Sequence, residues 1–130
     1  MRPSAAGLFM NRRSEKGLLG EELACSYLEQ QGYMILCRNF RCRRLGELDI
    51  VAEKDGVLTF VEVKARNSSR YGQPREAVTI SKQKKIYRCA EYYMLVHGII
   101  QRMPVLSFDV IEIITEGSAV KSLKHFPHCF

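Results

Sequence analysis

A chain of 130 residues with 46% apolar content can build one core without metal or disulfide staples, which excludes wholesale disorder. Its 20 Lys and Arg against 14 Asp and Glu leave a net charge of +6, suited to a polyanion such as nucleic acid or an acidic membrane surface, and equally to a plainly basic soluble protein. The cysteine count is odd, at 5, and no C-x-x-C pair occurs, which argues against a disulfide framework or a zinc ribbon.

Residues 1–13, "MRPSAAGLFMNRR", read as a flexible basic arm whose apolar centre is too short for a secretory leader. A single domain is expected over 14–124, with 125–130 as a tail. Ser14 is placed to cap a first helix running to about Gln31, with Gly32 as its stop. On a helical wheel Gly17, Gly20, Ala24, Tyr27 and Leu28 share one side. Glu21 falls within that stripe and should turn inward, whereas Glu22 should face solvent.

Three strands are expected next: "YMILCRNF", then "ELDIVAE" after the polar link "RCRRLG", then "VLTFVEVKAR" after "KDG". "NSSRYGQPRE" reads as a loop. A second helix should begin near Ser81 and end near His97 with Gly98 as its stop, presenting Ile86, Ala90, Tyr93, Met94 and His97 along one face. "VLSFDVIEII" predicts a strong fourth strand and "AVKSLKHF" a weaker edge element.

The final "HFPHC" offers His125, His128 and Cys129, but without a partner pair it reads as a loose tail, and no zinc is assigned. The longest apolar run, "YYMLVHGII", is interrupted and too short to span a bilayer, so the expected location is cytoplasmic, with no membrane partner. Helix, three-strand meander, helical crossover and fourth strand imply an α/β fold around a central mixed sheet flanked by helices.

Asp55-Gly56 is a favoured two-residue hairpin turn, since both central positions take positive φ. With that turn, Lys54 faces Val57, and counting outward brings Asp49 opposite Glu62 and Glu47 opposite Lys64. Asp49, Glu62 and Lys64 then share a face with Val51 and Phe60. Two carboxylates at about 5 Å repel by roughly 3 kcal/mol at an effective dielectric near 20. A bound cation, a raised pKa or open solvent can offset this. A divalent metal such as Mg²⁺ takes one or two carboxylates plus waters and phosphate oxygens, with Glu21 as a further donor directly or through water. Lys64 could then orient an attacking water or stabilise phosphate charge. The plainer alternative pairs Glu47 with Lys64 and leaves Asp49 and Glu62 to water at a sheet margin.

An acidic residue on the first helix (Glu21), an Asp on a strand (Asp49) and E-x-K on the next (Glu62-Val63-Lys64) resemble the PD-(D/E)XK nuclease superfamily. Its restriction-endonuclease-like αβββαβ core is the order read above. More narrowly, "GEELACSYLEQQGYMILCRNFR", "GELDIVA", "FVEVKAR" and "FDVIEI" resemble the YraN-like family of bacterial proteins, uncharacterised but similar to archaeal Holliday-junction resolvases. The resemblance spans about Lys16 to Ile114. It implies a divalent-metal-dependent endonuclease-like protein, with Glu21, Asp49, Glu62 and Lys64 as catalytic residues and Mg²⁺ or Mn²⁺ as cofactor. The metal would be held by Asp49, Glu62, the Val63 carbonyl and, directly or through water, Glu21. Gln83 and Tyr87 match the Q-x-x-x-Y spacing of some nucleases in the superfamily and are accessory candidates.

Arg38, Arg41, Arg43 and Arg44 lead into the strand of Asp49, and Arg66, Arg70 and Arg75 follow the strand of Lys64. With Lys82 in the first turn of the second helix, they are the expected phosphate contacts. No base-reading helix or stacking platform is visible, which favours recognition by shape. Symmetric cutting of a branched DNA junction would need a homodimer. A non-catalytic binding module for nucleic acid or a repair partner is the alternative.

Overall fold

Alternating and continuous apolar runs resolve into a five-stranded sheet between two helices in a computed structural model that describes residues 15–67 and 78–130. In chain order these are α1 (Glu15–Gln30), β1 (Met34–Arg41), a 3₁₀ turn (Arg43–Leu45), β2 (Glu47–Lys54), β3 (Val57–Arg66), α2 (Ile80–Val96), a second 3₁₀ turn (Ile100–Arg102), β4 (Val105–Glu116) and β5 (Ala119–Phe126). The expected arm, the Ser14 cap, the burial of Gly17, and Arg70 and Arg75 lie outside the described residues.

Spatial order equals chain order, β1-β2-β3-β4-β5. Only β3 and β4 run parallel among these neighbours, and the crossover that a parallel pair requires is the segment carrying α2. The β2–β3 turn is the one expected: Asp55 at φ 52° and Gly56 at φ 80°, with Lys54 opposite Val57 and Ile50 opposite Val61. α2 starts at Ile80, beside the Ser81 that the sequence suggested, and Thr79 caps it, its Oγ1 accepting the Lys82 N–H at 3.1 Å.

Each sheet face has its own core. Val51, Phe60 and Val110 pack with Ile86, Ala90, Tyr93 and Met94 of α2, while Ile50, Val61, Ile111 and Ile113 pack with Ala24 and Leu28 of α1. Gly20 permits close approach of α1, since a Cβ there would stand 3.4 Å from the Ala65 Cβ. No helix of the described residues is long and apolar enough to cross a membrane.

The last residues depart from the expected loose tail. His125 lies within β5 opposite Ile111, and the Cys129 N–H donates to the Phe108 carbonyl at 2.7 Å. A second departure bears directly on the acidic patch. Arg38 pairs with Glu22 on α1, yet Phe40, two residues on, packs against Tyr93 of α2. Asn39 between them takes φ 55°, which reverses the faces of β1. Across the ladder Leu48 likewise joins the α2-side core and Ile50 the α1-side core, so strict alternation breaks at Asp49.

Candidate active site

Asp49 sits where β2 changes face. The β2–β3 ladder runs outward only as far as Ile50 opposite Val61. One step beyond, the Asp49 side chain takes over the role of a backbone acceptor: its Oδ2 accepts the Val63 N–H at 2.9 Å. The aspartate thereby holds the peptide between Glu62 and Val63, in the middle of the E-x-K run.

Glu62 is buried on the α2 side, 7% exposed. Two ammonium groups converge on its Oε2, Lys64 at 3.5 Å from its own strand and Lys82 at 3.4 Å from the first turn of α2. Glu21 is buried on α1, on the opposite sheet face, as the helical wheel predicts, while Glu22 is exposed. Its charge nevertheless reaches Asp49. The notch at the change of face thus brings together Glu21 from one layer and Glu62, Lys64 and Lys82 from the other, with Asp49 between them.

The electrostatics are unbalanced at one member. Burial first, then the Glu62 carboxylate and more weakly Glu21, push the Asp49 pKa from 3.8 up to about 8, against the Val63 N–H and Lys82, which favour the anion. The protein opposes the ionisation of Asp49 and therefore favours either its proton or a cation in the proton's place.

Among the described residues no three His, Cys, Asp or Glu side chains converge closely enough to hold a metal by themselves. Asp49 and Glu62 supply two carboxylates beside the Val63 peptide. That oxygen-only set suits a hard divalent ion completing its shell with water and phosphate oxygens, and not zinc.

At the outer end the structure does not show, among the described residues, the ion pair of the plainer alternative. Glu47 pairs with Arg41 on β1 at 3.7 Å, whereas Lys64 is held by Glu62. The arginines also part company. Arg38 pairs with Glu22 at 3.8 Å, and Arg43 donates from Nε to the Tyr92 hydroxyl at 3.1 Å. Arg66 is half-buried and pairs with the buried Glu112, while Arg44 is exposed with no ion pair recorded among the described residues. Beside Lys82 a hollow of about 160 Å³ is lined by Gly46, Glu47 and Lys85 as well.

Gln83 donates to the Val78 carbonyl at 2.9 Å at the start of α2, and Tyr87 packs edge-on against Phe108 with centroids 4.8 Å apart. Both have structural partners. Sequence reasoning missed Glu112, although "VIEII" carried the same signal as "FVEVK": a charge inside a strand's apolar run, here directly across the parallel ladder from Lys64. It also missed that Lys82 binds Glu62 itself.

Residues 20–113 match the family described as Uncharacterised protein family UPF0102. A UPF0102 protein of Lachnoclostridium phytofermentans is 50% identical over 107 residues, covering 82% of this chain and 88% of its own. One from Syntrophomonas wolfei is 46% identical over 121 residues, covering 93% of this chain and 100% of its own. A third, from Clostridium perfringens, is 46% identical over 97 residues, covering 75% and 77% respectively.

Proposed function

The chain belongs to the uncharacterised family UPF0102, and from that premise we propose that it is a divalent-metal-dependent, endonuclease-like protein acting on nucleic-acid phosphodiesters, with branched DNA as the leading substrate. The observation that carries this reading is the geometry of the notch, where Asp49 holds the Val63 N–H beside the buried Glu62 and two lysines converge on Glu62; the upward shift of the Asp49 pKa by burial and Glu62 supports it. The order of acidic and lysine residues, similar to the PD-(D/E)XK superfamily and archaeal Holliday-junction resolvases, supports it. The reading places the protein in the cytoplasm, and a four-way junction as substrate would call for a homodimer.

In this reading Asp49 and Glu62, with the Val63 carbonyl and Glu21 nearby, hold Mg²⁺ or Mn²⁺. When bound, the ion supplies Lewis-acid polarisation of the phosphate and a more acidic water. The chain's own residues do the rest. Asp49 fixes the Val63 peptide through its N–H, Lys64 stands beside the Glu62 carboxylate to orient water or a phosphate oxygen, and Lys82 carries a second positive charge to the substrate side. Arg44 and Lys85 extend this charge along the neighbouring surface, where contacts to phosphates would be independent of base sequence.

The test is incubation of the purified protein with junction, single-stranded and duplex DNA in Mg²⁺ or Mn²⁺. Divalent-dependent cleavage that disappears in Asp49→Ala and Glu62→Ala is expected; cleavage surviving both changes would refute the site.

One observation favours a second reading, a non-catalytic nucleic-acid or repair-partner module. Two lysines already bring cationic charge to Glu62 without any metal. Salt-sensitive DNA binding without divalent-ion binding would select it.

A further inference from the structure

At the other end of β3 lies a polar construction that the acidic notch does not use. Val57 and Val63 are separated by about 20 Å along the strand. Past the C-terminal end of α1, the sheet face carries a hollow of about 240 Å³ lined by Tyr33, Lys54, Thr59, Ser107 and His128, with Asp55 of the hairpin turn. Behind it Asp109 is buried at 1% exposure and Ser107 at 4%.

Their contacts fix the protons. A carboxylate only accepts, so the bonds to Asp109 require the Ser107 O–H on Oδ1 and the His125 Nε2–H on Oδ2, the latter at 2.6 Å. His125 Nδ1 is hydrogen-bonded to the Tyr27 hydroxyl at 3.1 Å. Since the Ser107 proton is already committed, the Ser107 oxygen must accept from His128 Nδ1–H at 3.2 Å, alongside the His128 backbone N–H. His128 is thereby locked in one tautomer, with Nε2 free of any recorded partner among the described residues. It is held at φ 48°, a left-handed conformation that the surrounding contacts sustain.

We propose that this hollow binds a small phosphomonoester between Lys54 and His128, over a floor that includes Thr59, the Ser107 proton being already committed to Asp109. Lys54 supplies the cation; at present its Nζ rests over the Tyr33 ring, 5.3 Å from the centroid, a weak contact that an anion can outcompete. Nε2 of His128 accepts from a protonated phosphate oxygen or, when carrying a proton, donates to an ionised one. Thr59 is buried in the floor, and burial followed by the Asp109 charge keeps the Tyr33 phenol protonated as a further donor. Several donors of mixed geometry suit tetrahedral phosphate oxygens better than a planar carboxylate. The volume exceeds that of one phosphate and leaves space for an organic group. Asp55 and Asp109 both oppose an anion; Asp55 is exposed at the turn, where water and salt screen it, and the Asp109 oxygens are already taken up by Ser107, His125 and the His128 N–H.

The experiment follows the ring nitrogens of His128 and the Thr59 amide by NMR in the full chain while inorganic phosphate, AMP or adenosine is added. Saturable shifts with phosphate and AMP but not adenosine are expected, at a Kd of about 1 mM or tighter. A nucleic-acid strand ending in a phosphate presents the same chemistry; an oligonucleotide with and without its 5′-phosphate distinguishes that source from a free nucleotide.

His128→Asn is the sharp variant. Asparagine tolerates positive φ and its amide can still donate to Ser107, but the Nε2 position is gone. His128→Asn and Lys54→Met should each weaken binding about tenfold while the His125 ring signals stay in place. Unchanged affinity in both variants, or no saturation by about 10 mM phosphate, would overturn the proposal.

Discussion

Asp49 and Asp109 are both carboxylates set into the sheet, and their surroundings differ in every respect that matters. Asp109 accepts from Ser107, His125 and the His128 backbone, and an imidazole stands against it. Asp49 is recorded accepting one peptide N–H and faces two further carboxylates. The first is a completed polar network that ties β5 to β4. The second is a site the fold leaves short of positive charge, and such imbalance marks function more reliably than burial alone.

The largest effect should follow from breaking the completed side. Asp109→Ala leaves Ser107, His125 and the His128 N–H without their shared acceptor, so urea denaturation should show a loss of about 3 kcal/mol. Asp49→Asn should do the opposite and raise stability at alkaline pH, by removing a charge that burial and the neighbouring carboxylates oppose. A loss of stability in the second case would remove the contrast between the two aspartates.

The pH dependence gives that contrast a sign. Asp49 has a folded pKa near 8 against 3.8 for the ordinary group, so between those values the native state keeps a proton that the unfolded chain has released. The contribution of Asp49 to stability is therefore most favourable below pH 4, falls as pH rises, and levels off above pH 8. Asp49→Asn should flatten this slope, with its gain appearing at high pH and vanishing in acid. If the proposed metal binds, Mn²⁺ should restore stability to the wild type at high pH and do little for Asp49→Asn.

How much of this could be read beforehand follows from the range of the signals. The Asp55-Gly56 turn is local, and from it the β2–β3 register follows by counting as far as Ile50 opposite Val61; Asp49 lies one step beyond that ladder, where counting no longer fixes its contacts. Glu21 was equally legible, because a helical wheel needs only the spacing to Ala24 and Leu28. The change of face at Asn39 was not, since asparagine at positive φ is permitted rather than demanded by its sequence. Nor was the Asp109 network: His125 meets it through the β4–β5 pairing, whose register shifts beyond Ile114 and has no Asp-Gly or Asn-Gly turn to announce it. A terminal histidine cluster therefore read as a tail.

A smaller effect sharpens the roles of the two lysines on Glu62. Lys82→Met removes a positive charge from beside a cation site, so Mn²⁺ affinity measured by calorimetry should rise about three- to tenfold. Lys64→Ala should also leave metal affinity intact or higher, but with cleavage largely lost. Cleavage retained in Lys64→Ala and lost in Lys82→Met would exchange the roles assigned to them.

The smallest expected effect tests whether the two regions are independent. Tyr27→Phe deletes the hydroxyl bonded to His125 Nδ1, at the outer end of the Asp109 network, and keeps the ring that meets His125 edge-on at 5.5 Å. One neutral hydrogen bond is lost and the packing stays, so the cost should be about 1 kcal/mol in urea denaturation. The Asp49 notch shares no recorded hydrogen bond or ion pair with this network among the described residues. The double variant Tyr27→Phe with Asp49→Asn should accordingly show the sum of the single effects to within about 0.5 kcal/mol, and the alkaline slope governed by Asp49 should be the same with or without the tyrosine hydroxyl. A larger departure from additivity would mean that the sheet transmits charge or strain from one aspartate to the other, and the notch and the hollow would then have to be treated as one coupled site.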